Sequence, residues 1–203
     1  MKIDNKAVLI SIRPEWCDLI VRGKKTMEVR KNYPKHLYGK GKPFKVYIYC
    51  TKAPQQLITI FKDGEETMDG EIHHGKPVFV KFDKLLPDSV RGKTQMVIGE
   101  FICDDIRRIG PEYCIVKEDI ETAIAGSCLS IKQVKEYAGW DIGMNYADMK
   151  DLYGWHISGL KIYDKPRKLQ SFTGLQETRF GMMPVEIHHP PQSWRYIQEE
   201  GDV

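Results

Sequence analysis

Apolar and polar positions resolve the chain into short strands and a few short helices. AVLISI (7–12) is a continuous apolar run of strand length, the pattern of a buried strand. Pro14 follows at a first helical position, Trp16, Leu19 and Ile20 form an i, i+3, i+4 stripe, and Gly23 supplies a stop, so a helix is predicted from Pro14 to Arg22. TMEVRK (26–31) alternates, which puts Met27 and Val29 on one face and Thr26, Glu28 and Arg30 on the other. KVYIYC (45–50) does the same, with Val46, Ile48 and Cys50 opposite Tyr47 and Tyr49. LITIF (57–61) leads through the acidic turn KDGEETMDGE into a predicted strand, PVFVKF (77–82), and QMVIGEFIC (95–103) is a strongly apolar strand. Ser130 with Gln133 is a capping-box signature for a helix that Gly139 closes, and Asn145 is the cap of a second short helix running through Leu152. GWHISGLKIY (154–163) returns to strand, with Pro166 as its end, and HPPQSWRYI (189–197) is too apolar and aromatic for a free tail.

Short strands that must pair across long separations, with short helices between them, predict an α+β domain built around a small mixed β-barrel. Closure would also cover exposed strand edges. No repeat, linker or low-complexity tract divides the 203 residues, so a single domain over 1–203 is expected, with residues 52–95 as an insertion.

Charge changes this picture more than composition does. Net charge is only +3, but residues 22–45 hold nine Lys or Arg and one acid, Glu28, leaving the remainder slightly acidic. A positive field so concentrated suits an anionic partner. Tyr33, Tyr38, Phe44, Tyr47 and Tyr49 interleave with or follow it, as phosphate contact with base stacking would require. Five cysteines at 17, 50, 103, 114 and 128 form no CxxC pair, which argues for reduced thiols in a cytoplasm. The amino terminus lacks a signal-peptide pattern, and no apolar run reaches the ~20 residues of a membrane span.

The candidate chemistry gathers where the basic segment opens its strand. Parity sets Glu28 and Arg30 on one face about 7 Å apart, and Lys25 at the preceding turn can swing over it. The trio offers an ammonium, a planar fork and an acceptor for an amino group; glutamate is the side-chain type that accepts from the exocyclic amine of cytosine. Lys24, Lys31, Lys35, Lys40 and Lys42 would draw a phosphate backbone toward it. Arg13 is a candidate lining residue, and Gln192, Ser193 and Trp194 a candidate wall, with Trp194 as a stacking surface. Trp16 and Trp155 read as core, and His156 as a structural histidine. No metal or other cofactor is expected: His73–His74 and His188–His189 are adjacent pairs whose side chains diverge on a strand, the acidic turn lacks a calcium-loop series, and YGKGKP (38–43) lacks the ending of a P-loop.

Gly23, Lys25, Glu28 and Arg30 reproduce a GxKxxExR pattern, and with SIRP (11–14), VYIYCT (46–51), IGEF (98–101), WHISGLKIYDKP (155–166) and PPQSW (190–194) the chain resembles the ASCH domains of bacteria and their phages, within the PUA-like superfamily. The resemblance implies a PUA-like pseudo-barrel of about five or six strands with a cleft between it and flanking helices. It also implies binding of RNA, single-stranded nucleic acid or modified nucleotides. Some ASCH proteins are amidohydrolases or ribonucleases, so a hydrolase acting on a modified nucleoside or on RNA, with Lys25 and Glu28 as its catalytic pair, is the alternative. The amidohydrolase pattern transfers only in part. Lys25 matches its lysine, Glu28 stands where its threonine would be, and its distant glutamate has no counterpart near AGSC (125–128).

Overall fold

The computed structural model describes residues 6–38, 41–53, 57–61, 77–114, 117–140, 145 and 148–199. In chain order the elements are β1 (Lys6–Ile12), α1 (Pro14–Val21), β2 (Met27–Arg30), α2 (Lys35–Tyr38), β3 (Phe44–Cys50), β4 (Leu57–Phe61), β5 (Pro77–Lys81), β6 (Met96–Cys103), β7 (Ile106–Ile109), α3 (Lys117–Ala123), α4 (Ile131–Ala138), β8 (Leu152–His156), β9 (Ser158–Lys168), β10 (Thr173–Thr178), β11 (Gly181–Glu186) and β12 (Trp194–Gln198). The architecture is mixed α+β. Seven strands form one sheet in the order β11-β10-β12-β1-β3-β6-β9, β2-β8-β7 form a second, and β4-β5 pair as a hairpin. Within the large sheet β1 and β3 are parallel, and the remaining neighbours are antiparallel.

The large sheet is not closed into the barrel that its strand count suggested. Its two edge strands carry another kind of protection. Pro184 sits in β11 and Pro166 in β9, and proline withholds the N–H that a further strand would need. Pro166 therefore does not end its strand. It falls in the irregular stretch of β9 between Ile162 and Arg167, where the register against β6 shifts. The run 154–163 is likewise two strands, broken at Ile157, whose N–H turns aside to donate to the Thr26 carbonyl (2.9 Å). Leu152 opens β8, because it pairs with Ile109 of β7; the helix expected to run through it does not extend that far. The acidic turn, His73–His74 and Lys40 lie outside the described residues.

Alternation along the strands assigns side chains to cores. Val8, Ile10, Val46, Ile48 and Cys50 face one side of the large sheet with Cys17 and Ile20 of α1 and with Trp155. Ala7, Leu9, Tyr47 and Tyr49 face the other, against Phe172 and Leu169. A third cluster joins Met27 and Val29 of β2 to Ile109, Ile120, Val134, Trp140 and Leu152. These contacts hold β2 between two packed bodies, and that position makes its polar face internal.

The capping box at α4 is formed: Ser130 accepts from the Gln133 N–H, and the Ser130 N–H donates to Gln133 Oε1 (2.9 Å). Gly139 ends the helix at φ 76°, a conformation glycine adopts without a Cβ penalty. Ser130→Ala is expected to lower stability by about 1 kcal/mol, read as a reduced urea midpoint at unchanged slope.

No helix among the described residues is long and apolar enough to cross a membrane.

Candidate nucleic-acid cleft

A cleft of about 810 Å³ opens at the carboxyl ends of the parallel pair β1 and β3, where Ser11, Ile12 and Thr51 contribute to its lining. Arg13 and Trp16 enter from the start of α1, Lys25, Glu28, Val29 and Arg30 from β2 and its approach, and Gln133, Glu136 and Tyr137 from α4. The segment 190–193 closes one side, tied to β1 by Ser11 Oγ donating to the Pro191 carbonyl (2.6 Å) and Ser11 N–H to that of Ser193 (2.9 Å).

Lys25, Glu28 and Arg30 are 2%, 7% and 8% exposed, and they converge. Lys25 Nζ lies 3.3 Å from Glu28 Oε2, and Arg30 Nη2 lies 2.9 Å from Glu28 Oε1. The isolated acid in the basic segment is thus the shared counter-ion of two buried cations. Each cation has a second anchor: Lys25 donates to the Ser127 carbonyl (2.6 Å) and sits 5.2 Å from the centre of the Trp16 ring, and Arg30 donates to the Ser11 carbonyl (2.7 Å). The loop between α3 and α4 is fixed to the β2 approach by the Gly126 carbonyl, which accepts from the Thr26 and Met27 N–H groups (2.8 and 3.0 Å). The cluster carries formal charge +1, and two of its atoms, Glu28 Oε2, which faces the Lys25 ammonium, and Arg30 Nε, are buried without a hydrogen bond among the described residues. Buried polar groups are nearly always hydrogen-bonded, so two such atoms in one cluster are unusual.

Beneath the cluster lies Cys17. Burial, reinforced by neighbouring Cys50 and then Glu28, pushes its thiol well above the ordinary range, so it packs as a neutral thiol. On the same helix, burial raises the Asp18 carboxyl, but hydrogen bonds from Arg22 and Ser89 outweigh it and hold the group below its usual value. A carboxyl depressed in the folded state contributes stability above its unfolded pKa of about 3.9, and that contribution is lost as pH falls through the lower folded value. Asp18→Asn should therefore weaken the protein at neutral pH and flatten its stability curve below about pH 4, measured by urea midpoints across pH.

The other candidates divide. Arg13 lines the cleft with a side chain 77% exposed, and its contact with Glu15 is long at 4.0 Å. Lys31 is exposed and stands 5.2 Å from the centre of the cleft-lining Tyr137 ring. Gln192 and Ser193 belong to the wall, whereas Trp194 is not among the lining residues. Its ring packs 5.8 Å from Trp155 and 5.3 Å from Tyr196, and its indole N–H donates to Asn32 (2.7 Å). Trp155 is core, but Trp16 borders the cleft. His156 is half-exposed, with Nδ1 2.6 Å from Asp104. Sequence reasoning missed the Ser11 and Ser127 carbonyls and the Tyr137 face. Backbone acceptors leave no residue-type signal, and Tyr137 reads locally as one exposed helix position.

The fold and cleft define an open-sheet α+β protein with an ion-pair cluster at the base of a surface cleft. Residues 10–63, which span α1, β2 and β3, match the family model of the ASCH domain. No curated protein matches the chain. Among solved structures, three of the ASCH protein ZmASCH from Zymomonas mobilis, two of them mutant forms, are each 16% identical to it. A mutant form covers 97% of this chain and 91% of its own at TM-score 0.46, the unmutated protein 95% and 88% at 0.45, and a second mutant form 95% and 91% at 0.44.

Proposed function

We propose that this protein is a nucleic-acid-binding module that takes single-stranded RNA or a modified nucleotide into the cleft. The observation that carries this reading is the buried Lys25–Glu28–Arg30 cluster, net positive, on the lining of a cleft bordered by Trp16 and Tyr137. Planar apolar walls suit an unstacked base, and the exposed Lys24, Lys31, Lys35 and Lys42 supply charge for its backbone. In this reading residues 52–95 elaborate a single domain, and the protein works in a cytoplasm.

A hydrolase draws on the 3.3 Å approach of Lys25 to Glu28 within the cleft. Binding is the better supported reading, because the Lys25 amine already has acceptors in Ser127 and Glu28 and a tryptophan face beside it.

Fluorescence anisotropy with labelled single-stranded RNA tests the proposal. Binding should weaken linearly in log–log salt with a slope of about −0.7 per phosphate contacted, and alanine at Lys24 and Lys31 should make the slope shallower by one to two such increments. No binding at low salt to any RNA or single-stranded DNA would remove the proposal. Turnover of acylated nucleosides or RNA, seen by chromatography and abolished by Lys25→Ala, would replace it with the hydrolase.

A further inference from the structure

The cleft separates two kinds of positive charge. On its floor, both cations are already committed to Glu28 and to backbone carbonyls. A phosphate placed there would meet the Glu28 carboxylate and find no acceptor-free cation to compensate. Among the described residues, what the floor leaves without a hydrogen bond is one acceptor, Glu28 Oε2, which meets the Lys25 ammonium as an ion pair at 3.3 Å, and one donor, Arg30 Nε, both buried. That pair answers a neutral heterocycle that carries an amino donor and a ring acceptor. The mouth is the reverse. Arg13 is largely exposed, its ion pair among the described residues being the long contact to Glu15, and Lys31, exposed and just outside the lining, stands 5.2 Å from the centre of the lining Tyr137 ring. The one carboxylate of α4 that lines the cleft, Glu136, stands 3.8 Å from Lys132.

Building on the nucleic-acid reading, we propose that a nucleotide enters this cleft base first, its amino-bearing edge against Glu28 and Arg30 and its phosphate held at the mouth by Arg13 and Lys31. Burial of the floor cluster keeps water from competing for the base edge, and the exposed mouth leaves the sugar–phosphate chain free to continue on either side. With the exocyclic position facing Glu28, the arrangement favours cytosine or adenine over uracil, which presents there a carbonyl that repels a carboxylate.

Competition against a labelled oligonucleotide, using the full chain, separates the parts. Cytidine and adenosine should compete, uridine should compete at least tenfold less well, and ribose 5-phosphate and inorganic phosphate should not compete in the range where cytidine does. The corresponding 5′-monophosphates should bind more tightly than the nucleosides, and the Arg13→Ala/Lys31→Ala protein should bring that ratio close to one. Glu28→Gln should erase the preference for amino-bearing bases. Both residues of the double variant are exposed, so its result does not hinge on Glu28→Gln folding. Competition by ribose 5-phosphate as strong as by the nucleotide, or a nucleotide-to-nucleoside ratio untouched by the double variant, would overturn the orientation while leaving nucleic-acid binding intact. Absence of oligonucleotide binding would overturn both.

Discussion

Glu28→Ala is expected to destabilise the protein by about 3–5 kcal/mol, because it leaves two buried cations facing one another without their common counter-charge. Lys25→Met should cost less. It removes the surplus positive charge of the cluster and leaves a neutral Glu28–Arg30 pair, at the expense of one unsatisfied carbonyl on Ser127. Urea unfolding of the two variants side by side gives the comparison. A Glu28→Ala protein no weaker than Lys25→Met would mean that the carboxylate does not hold the cluster together. The asymmetry also explains how an acid comes to sit in so basic a segment. It permits two positive side chains to be buried, 2–8% exposed, on the lining of the cleft.

Gly126→Ala should be the most damaging single methyl addition near the site. Gly126 has φ +80°, and a Cβ built there falls 2.3 Å from Thr26 Oγ1. The left-handed backbone conformation costs a non-glycine residue about 1–2 kcal/mol, and overpacking adds about 1–3 kcal/mol. Gly92→Ala is the matched control, since φ is +73° and nothing lies within 4 Å of the added methyl. It should show the backbone cost alone. The difference between the two urea midpoints therefore measures the contact. Because the Gly126 carbonyl binds the Thr26 and Met27 N–H groups and the next residue holds Lys25, oligonucleotide affinity should fall in the first variant and persist in the second. Equal losses in both would show that the loop is not clamped to the strand.

Local chemistry made much of this molecule legible. The helix 14–21 announces itself through Pro14 and its apolar stripe, and the α4 cap through Ser130 and Gln133. The two-residue period of VYIYC put Val46 and Ile48 on one face and Tyr47 and Tyr49 on the other, but the face offered for base stacking is a second buried core, because the sheet is covered on both sides. These signals act over a turn of helix or a strand, so the sequence carries them whole. Pro166 and Leu152 misled for the complementary reason. A proline is compatible with a strand when the strand is an edge with a shifted register, and Leu152 is a strand residue because Ile109 pairs with it; neither partner is visible locally.

The site divides along the same line. Residue types and spacing in the segment 22–31 determined that an ammonium, a carboxylate and a guanidinium would stand together, two of them on one strand face. Only the tertiary structure decided that this face would be internal, because β2 is pinned between Val29's core and the α1 side of the large sheet. It alone supplied the Ser11 and Ser127 carbonyls and the Tyr137 wall, and sent Trp194 into packing with Trp155. Alternation fixes which side chains share a face, but what that face meets depends on contacts between residues about a hundred positions apart, as between Lys25 and Ser127.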